Sequence, residues 1–254
     1  MRISVFPLVI RFIDFFLDFL NKCAYLYLNI RYFFKKNPKV FNVKNNMLIV
    51  LNGPSLKKVL LNSSVLVNKY DIIFVNRGFK HQEYESLKPK FHVFIDSKLL
   101  NGQWPIKWIY DIKKINPDVI FVFPINWSSN KKIQKLIKDG IKIHWLKSKY
   151  SFSSLGVCGA CVELSMNLNY KNIYLVGFDG NGIGYELIRE NSHFYGGNEE
   201  NNFKSLSDYS LDLFSHSRFF RSLIKLNSYS IKKKVNIFNA SEGGIITAFK
   251  ANKL

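Results

Sequence analysis

Five histidines, three cysteines and a set of small polar residues placed directly after apolar runs are the groups in this 254-residue chain that could do chemistry. His193 lies in the polar stretch RENSHFYGGN, between Ser192 and Tyr195 and ahead of two glycines that would suit a closing loop. An imidazole with an unperturbed pKa of about 6.5 is suited there to taking a proton from a hydroxyl. The competing reading is an exposed loop histidine. His92 and His144 fall inside apolar runs and read as core or edge residues, whereas His81 and His216 fall in polar segments expected to be exposed. Cys158-Gly159-Ala160-Cys161 has C-x-x-C spacing, yet no second pair accompanies it. Its flanks read as a helix lying tightly on a sheet, so both thiols are expected to be packing groups, and the low cysteine count fits a reducing compartment. No Asp-x-Asp pair occurs. Asp179 stands alone and Glu199 and Glu200 read as a solvated loop, so neither a metal nor another cofactor is expected.

The small polar residues recur at strand ends. MLIVLNGPSL stops its apolar run at Asn52-Gly53-Pro54-Ser55, and four further ends follow: Asn76-Arg77-Gly78, Asp96-Ser97, Gly177-Phe178-Asp179-Gly180, and Asn239-Ala240-Ser241-Glu242-Gly243-Gly244. Any one of them could be turn or cap chemistry. Gly53 could also let a ligand approach the backbone, and the amides after it could face a phosphate. Asn76 and Asp179 have side chains able to hydrogen-bond a base or a ribose.

The elements that must carry these groups are legible. Seven short runs rich in Val, Ile and Phe (MLIVLN, DIIFVN, FHVFID, VIFVFP, KIHWL, NIYLVGFD and VNIFNA) alternate with helical patterns such as KWIYDIKKI, KKIQKLIKDG and CVELSMNLN. Continuous apolarity marks strands buried on both faces. The order implies an α/β fold, doubly wound, with a mainly parallel Rossmann-like sheet over residues 45–254. In such sheets ligands bind outside the carboxyl ends of the strands. Residues 1–44 differ. MRISVFPLVIRFIDFFLDFLNKCAYLYLNIRYFFKK is rich in aromatic and aliphatic residues, but Arg11, Asp14, Asp18 and Lys22 interrupt it at helical spacing. This fits an N-terminal amphipathic helix lying in a membrane interface, with Arg31, Lys35 and Lys36 near anionic headgroups, rather than a span or a cleaved signal. A helix packed on the domain, or on a second copy in a homo-oligomer, is the alternative. The formal charge of +19 suits an anionic partner, but no nucleic-acid module is recognisable and none is expected as partner.

NGPSL after the first strand, Asn76 ending the second, NYKNIYLVGFD late in the sheet and NSHF beyond it resemble the small bacterial sialyltransferases of lipooligosaccharide synthesis. Their corresponding segments are G-N-G-P-S-L, an Asn-containing strand end, Y-K-x-I-Y-L-x-G-x-D and N-S-H-Y. The Gly-Pro-Ser-Leu and Gly-x-Asp elements, with FNASEGG near the end, are also similar to the group of flagellin glycosyltransferases and hydroxymethylpterin pyrophosphokinases. The resemblance implies a transferase that moves sialic acid or a related nonulosonate from a CMP-sugar to a glycan or glycolipid acceptor, with inversion and without a metal. It further implies His193 as general base, and Asn52, Gly53, Pro54, Ser55, Asn76, Tyr174, Gly177, Asp179 and Ser241 around the nucleotide donor. Gly180 stands where that family has an aromatic residue, the segment from Asp179 to His193 is shorter than the family's lid, and Ser153 and Ser154 lie out of register with its Thr-Ser-Gly. Arg77, Arg189 and Lys171 are the basic residues considered for the donor phosphate. The expected location is cytoplasmic, peripheral on the inner membrane. A pyrophosphokinase using ATP and magnesium, or a non-catalytic nucleotide-sugar binder, is the alternative function.

Overall fold

The computed structural model describes residues 6–40, 43–57, 63–147, 155–180, 193–195, 206–241, 245–252 and 254. All seven expected strands are present: β1 (Asn46–Val50), β2 (Asp71–Val75), β3 (Phe91–Val93), β4 (Ile120–Pro124), β5 (Ile143–Leu146), β6 (Asn172–Val176) and β7 (Asn236–Asn239). An eighth, β8 (Lys250–Ala251), closes one edge. The order is β5-β4-β3-β2-β1-β6-β7-β8, and every pairing is parallel.

Alternation along the strands explains why the runs are apolar throughout. On one face Leu48, Val50, Ile72 and Phe74 join Ile109 and Ile112 of α5 (Lys107–Ile115) and Ile133 and Leu136 of α6 (Lys131–Lys138). On the other, Met47, Ile49, Ile73 and Val75 meet Cys161 and Val162 of α7 (Gly156–Asn167) and Leu223 and Leu226 of the long helix α8 (Leu206–Lys232). A sheet covered by helices on both sides has no polar face to show in its sequence. Short helices α2 (Ser63–Lys69), α3 (Tyr84–Leu87) and α4 (Lys98–Asn101) fill the connections. The Asn130 side chain caps α6 by accepting a bond from the Lys132 amide at 2.9 Å.

Strand order reverses between β1 and β6, so the connections leave these two neighbours in opposite directions and open a crevice at their carboxyl ends. The amphipathic N-terminal helix, α1 (Phe6–Arg31), is also present. Its acidic residues turn inward: Asp14 accepts two bonds from Arg221 at 2.6 and 3.2 Å, and Asp18 one from Lys225 at 2.8 Å. The Arg221 guanidinium holds the Asp14 carboxyl below its usual pKa. Further on, Asn37 bonds both backbone groups of Trp145 and thereby covers the outer edge of β5. Among the described residues no helix is long and apolar enough to cross a membrane.

Candidate active site

A cleft of about 360 Å³ lies at the reversal point. Four strand ends supply its lining: Asn52, Gly53 and Pro54 after β1, Asn76 after β2, Asp96 after β3, and Gly177 to Gly180 after β6. His193 and Tyr195 line it as well, together with Trp104, Phe219 and the first residues of α7.

The β1 and β6 loops are stitched together. The Gly53 amide donates to the Gly177 carbonyl at 2.9 Å, the Ser55 amide donates to Asp179 Oδ2 at 2.8 Å, and the Ser55 hydroxyl donates to Asp179 Oδ1. A Cβ on Gly53 would come within 2.5 Å of the Gly177 carbonyl oxygen and 2.6 Å of Asp179 Oδ2. Gly177, at φ +65°, would place its own Cβ 2.5 Å from the Leu51 carbonyl oxygen. Both glycines are therefore fixed by the closeness of two loops, not by room for a ligand. The β7 end braces the same region from behind: the Phe178 amide donates to Ser241 Oγ at 2.7 Å and the Ile245 amide to the Asp179 carbonyl at 2.9 Å.

Different behaviour is seen at the two asparagines. Asn52 is 9% exposed, its Nδ2 reaches the Val75 carbonyl only at 3.5 Å, and its Oδ1 has no hydrogen-bond partner among the described residues. Asn76 Oδ1 is likewise buried without a partner. Asn76 adopts φ +48°, and its carbonyl oxygen accepts a bond from Nε2 of His92 at 2.9 Å. Most buried polar atoms find partners within the chain, so two cleft-lining asparagines whose buried amide oxygens have none among the described residues stand apart.

The segment His193 to Tyr195 crosses this cleft. The Phe194 amide donates to the Asn52 carbonyl at 2.9 Å, and the Phe194 ring sits 5.4 Å from that of His81. The His193 ring stacks on Tyr195 at 5.1 Å. Tyr195 in turn lies 5.6 Å from the Arg77 guanidinium, which also covers the faces of Trp104 and Trp108.

Several expectations need adjustment. Tyr174 lies in the middle of β6, its ring 5.0 Å from Tyr70 and 4.9 Å from Phe238, and it does not line the cleft. Burial raises its pKa. Ser55, Asp179 and Ser241 bind one another's loops and hold the cleft's shape. Lys171 lies just before β6, with its amide on the Asn45 carbonyl, at the opposite edge of the sheet from the cleft. His81 is half-buried under Phe194 rather than exposed, and burial lowers its pKa. Cys158 and Cys161 are free and buried, as packing groups should be, and burial pushes the Cys158 thiol up to about 12. Ser153, Ser154, Arg189, Glu199, Glu200 and the 242–244 stretch lie outside the described residues. Among the described residues no three His, Cys, Asp or Glu side chains gather closely enough to hold a metal ion. Trp104 and the α7 start are lining groups that no local pattern in the sequence signals.

Two solved structures share this fold. The sialyltransferase CstII from Campylobacter jejuni, in complex with a substrate analogue, cytidine-5'-monophosphate, superposes with a TM-score of 0.51 at 18% identity, covering 83% of this chain and 85% of that one. The MAf glycosyltransferase from Magnetospirillum magneticum AMB-1 gives a TM-score of 0.54 at 11% identity, covering 85% of this chain and 34% of that one. Identities this low establish a common fold. No protein-family model and no curated protein matches the chain.

Proposed function

We propose that the chain is a glycosyltransferase that moves sialic acid or a related nonulosonate from a CMP-sugar to a glycan or glycolipid acceptor, with residues 45–254 as the transferase domain. The observation that carries this reading is the pair of asparagines, Asn52 and Asn76, that line the cleft beside His193 and whose buried amide oxygens are unmatched among the described residues. The hydroxyl and amine donors of a cytidine would satisfy those oxygens. The likeness of the fold to two glycosyltransferase structures supports the same reading.

The chemistry is a single displacement with inversion. The acceptor hydroxyl oxygen attacks the anomeric carbon on the face opposite the phosphate. The carbon–oxygen bond to phosphate breaks, CMP departs with the bonding pair, and the hydroxyl proton passes to His193. The start of α7, which lines the cleft at Leu155, Val157 and Cys158, brings the positive end of a helix to the cleft, where it would favour a departing phosphate. The mechanism proposed is metal-free: both oxygens of Asp179 accept a bond from Ser55, and Asp96 is the other lining carboxylate among the described residues. Magnesium bound to a nucleotide's phosphates needs only one or two carboxylates, so sensitivity to EDTA is what separates the metal-free reading from the pyrophosphokinase one.

Purified protein incubated with CMP-sugars, UDP-sugars and ATP separates these cases. Protection against thermal unfolding by CMP-sugars, with slow CMP release to water that persists in EDTA, is the expected result. Protection by ATP and magnesium alone would replace this reading with the pyrophosphokinase one.

Helix α1 supports an acceptor held at the cytoplasmic face of a membrane. At about 100° per residue, Phe12, Phe16, Phe19, Leu26 and Ile30 fall on one stripe, and all are exposed. Arg11 and Lys22 border one side of it and Arg31 the other, while the acidic side faces α8. An apolar stripe with basic borders matches an anionic leaflet. Co-flotation with anionic but not neutral vesicles, lost on deleting residues 1–31, is expected. Self-association that vesicles do not compete with would assign the stripe to a second copy instead.

A further inference from the structure

Behind the cleft lies a buried polar group that neither donor binding nor transfer uses directly, the His92 imidazole. His92 occupies the centre of β3, paired through its backbone with Phe74 of β2 and Phe121 of β4. It is fully buried, stacked on Phe94 at 4.7 Å, and flanked by Phe79 and Tyr84. Its two nitrogens are both engaged, Nε2 with the Asn76 carbonyl at 2.9 Å and Nδ1 with the Tyr84 hydroxyl at 2.9 Å.

A carbonyl oxygen has no proton to give, so Nε2 must carry the hydrogen. Burial pushes the pKa of His92 down to about 3, which keeps the ring neutral, so Nδ1 is the lone-pair nitrogen and Tyr84 donates to it. The chain of bonds therefore runs in one direction, from the Tyr84 hydroxyl through the imidazole to the carbonyl of Asn76. That carbonyl belongs to a residue held at φ +48°, a conformation that side-chain-bearing residues adopt at a steric cost. The same residue lines the cleft and holds a buried amide oxygen that is unmatched among the described residues.

We infer that Tyr84 and His92 are positioning residues for Asn76: the fixed imidazole N–H holds the Asn76 backbone in the left-handed conformation that aims its side chain at the donor. A phenylalanine at 92 would fill the same space among the same rings without burying two nitrogens, so the polar pair has a directional role that packing does not require. The inference rests on the donor reading of the cleft, and its test separates the two.

His92→Phe keeps the volume and removes the N–H. It is expected to weaken CMP binding by about tenfold or more, the size of one mispositioned polar contact, and to raise the donor KM more than it lowers kcat. His92→Gln, which can return an N–H toward Asn76, should recover part of the loss. In an Asn76→Gly background, where the backbone enters positive φ freely and the amide is absent, His92→Phe should have no further effect on CMP affinity. Wild-type affinity in folded His92→Phe, or a full additive loss in the glycine background, would overturn the inference. Should His92→Phe fail to fold, Tyr84→Phe is read in the same cycle, with a smaller loss expected and the same coupling. Long-range proton–nitrogen correlation of the histidines gives a readout that needs no ligand: hydrogen on Nε2 and a bare Nδ1 are expected at His92, and the opposite tautomer rejects the proposal. If the wild-type protein binds no CMP, the donor reading fails, and the Asn76 amide resonance still decides the positioning role. It should shift in Tyr84→Phe and His92→Gln, and an unmoved resonance sinks it.

Discussion

The two ends of the one sheet use the same residue types in opposite ways. At the amino edge, Asp71 Oδ2 accepts from the Lys44 amide at 3.0 Å, the Lys90 ammonium at 2.9 Å and the Tyr170 hydroxyl at 2.6 Å. Beside it Asn46, Asn172 and Asn236, in register across β1, β6 and β7, bond amide to amide at 2.9 Å each. At the carboxyl edge Asn52 and Asn76 keep oxygens that nothing among the described residues satisfies. An asparagine or aspartate at a strand end thus says little by itself. What separates a seam from a site is whether the neighbours have used up its hydrogen bonds, and each edge makes predictions the other should fail.

The largest expected effect is on turnover at the carboxyl edge. His193→Ala should lower the transfer rate by about 10²- to 10⁴-fold, the usual contribution of a positioned base, while CMP affinity measured by calorimetry stays close to wild type. Retention of more than about half the turnover, with chemistry rate-limiting, would remove His193 from the mechanism. Tyr195, stacked on it, would be the next group to examine.

Next in size is a stability loss at the amino edge. Asp71 is 7% exposed and answers a partly buried ammonium, so Asp71→Ala leaves three donors without their acceptor. Unfolding by denaturant should show a loss of about 3 kcal/mol with CMP affinity unchanged. A CMP defect in the still-folded variant would mean the two edges are coupled.

Acid separates buried imidazoles from the rest. Burial lowers the pKa of His92 to about 3 and of His144 to about 4. Below about pH 6.5 the unfolded chain takes up protons that the folded chain cannot, so these groups contribute full stability above that pH and lose it as pH falls toward 4. The slope should reach about 1.4 kcal/mol per pH unit for each ring. Denaturant unfolding at pH 7, 6 and 5 would show it, and a profile equally steep in His92→Gln would show that His92 is not a source.

Much of this frame could be read before folding, and the reason is physical. Parallel strands covered on both faces must be apolar at every position, which is why MLIVLN and DIIFVN stand out, and the strand ends follow from them. The two-residue β8 carries no such run and stayed hidden. So did α8, whose buried Leu223 and Leu226 are diluted by serine, lysine and asparagine over its 27 residues. Within the site, Asn52 and Asn76 were legible as cleft residues because a strand-end position suffices, whereas His193, in a polar loop, needed the family resemblance as well. The tying roles of Ser55, Asp179 and Ser241 were not, since they depend on β1, β6 and β7 being neighbours, and strand order leaves no mark in local sequence. Tyr174 was a site candidate only through the family resemblance, and it sits mid-strand among rings.

The smallest expected effect is the most diagnostic of the contrast. Asn52→Ala removes an amide whose one bond among the described residues is 3.5 Å long and whose oxygen is unmatched among them. The folded protein therefore loses almost nothing, and relief of a desolvated oxygen can offset the lost packing, so unfolding free energy should change by less than about 1 kcal/mol. CMP affinity should fall by about tenfold, one hydrogen bond to the ligand. Asn172→Ala, which breaks two bonds of the amino-edge ladder, should do the reverse: a stability loss of about 1 kcal/mol and no change in CMP affinity. The pair is informative because residue type and sheet are matched, while the two amides sit at opposite ends of neighbouring strands and differ in whether the chain uses their hydrogen bonds. If Asn52→Ala destabilises as Asn172→Ala does and leaves CMP binding untouched, Asn52 is an ordinary strand end, and the unmatched oxygens do not mark the donor site.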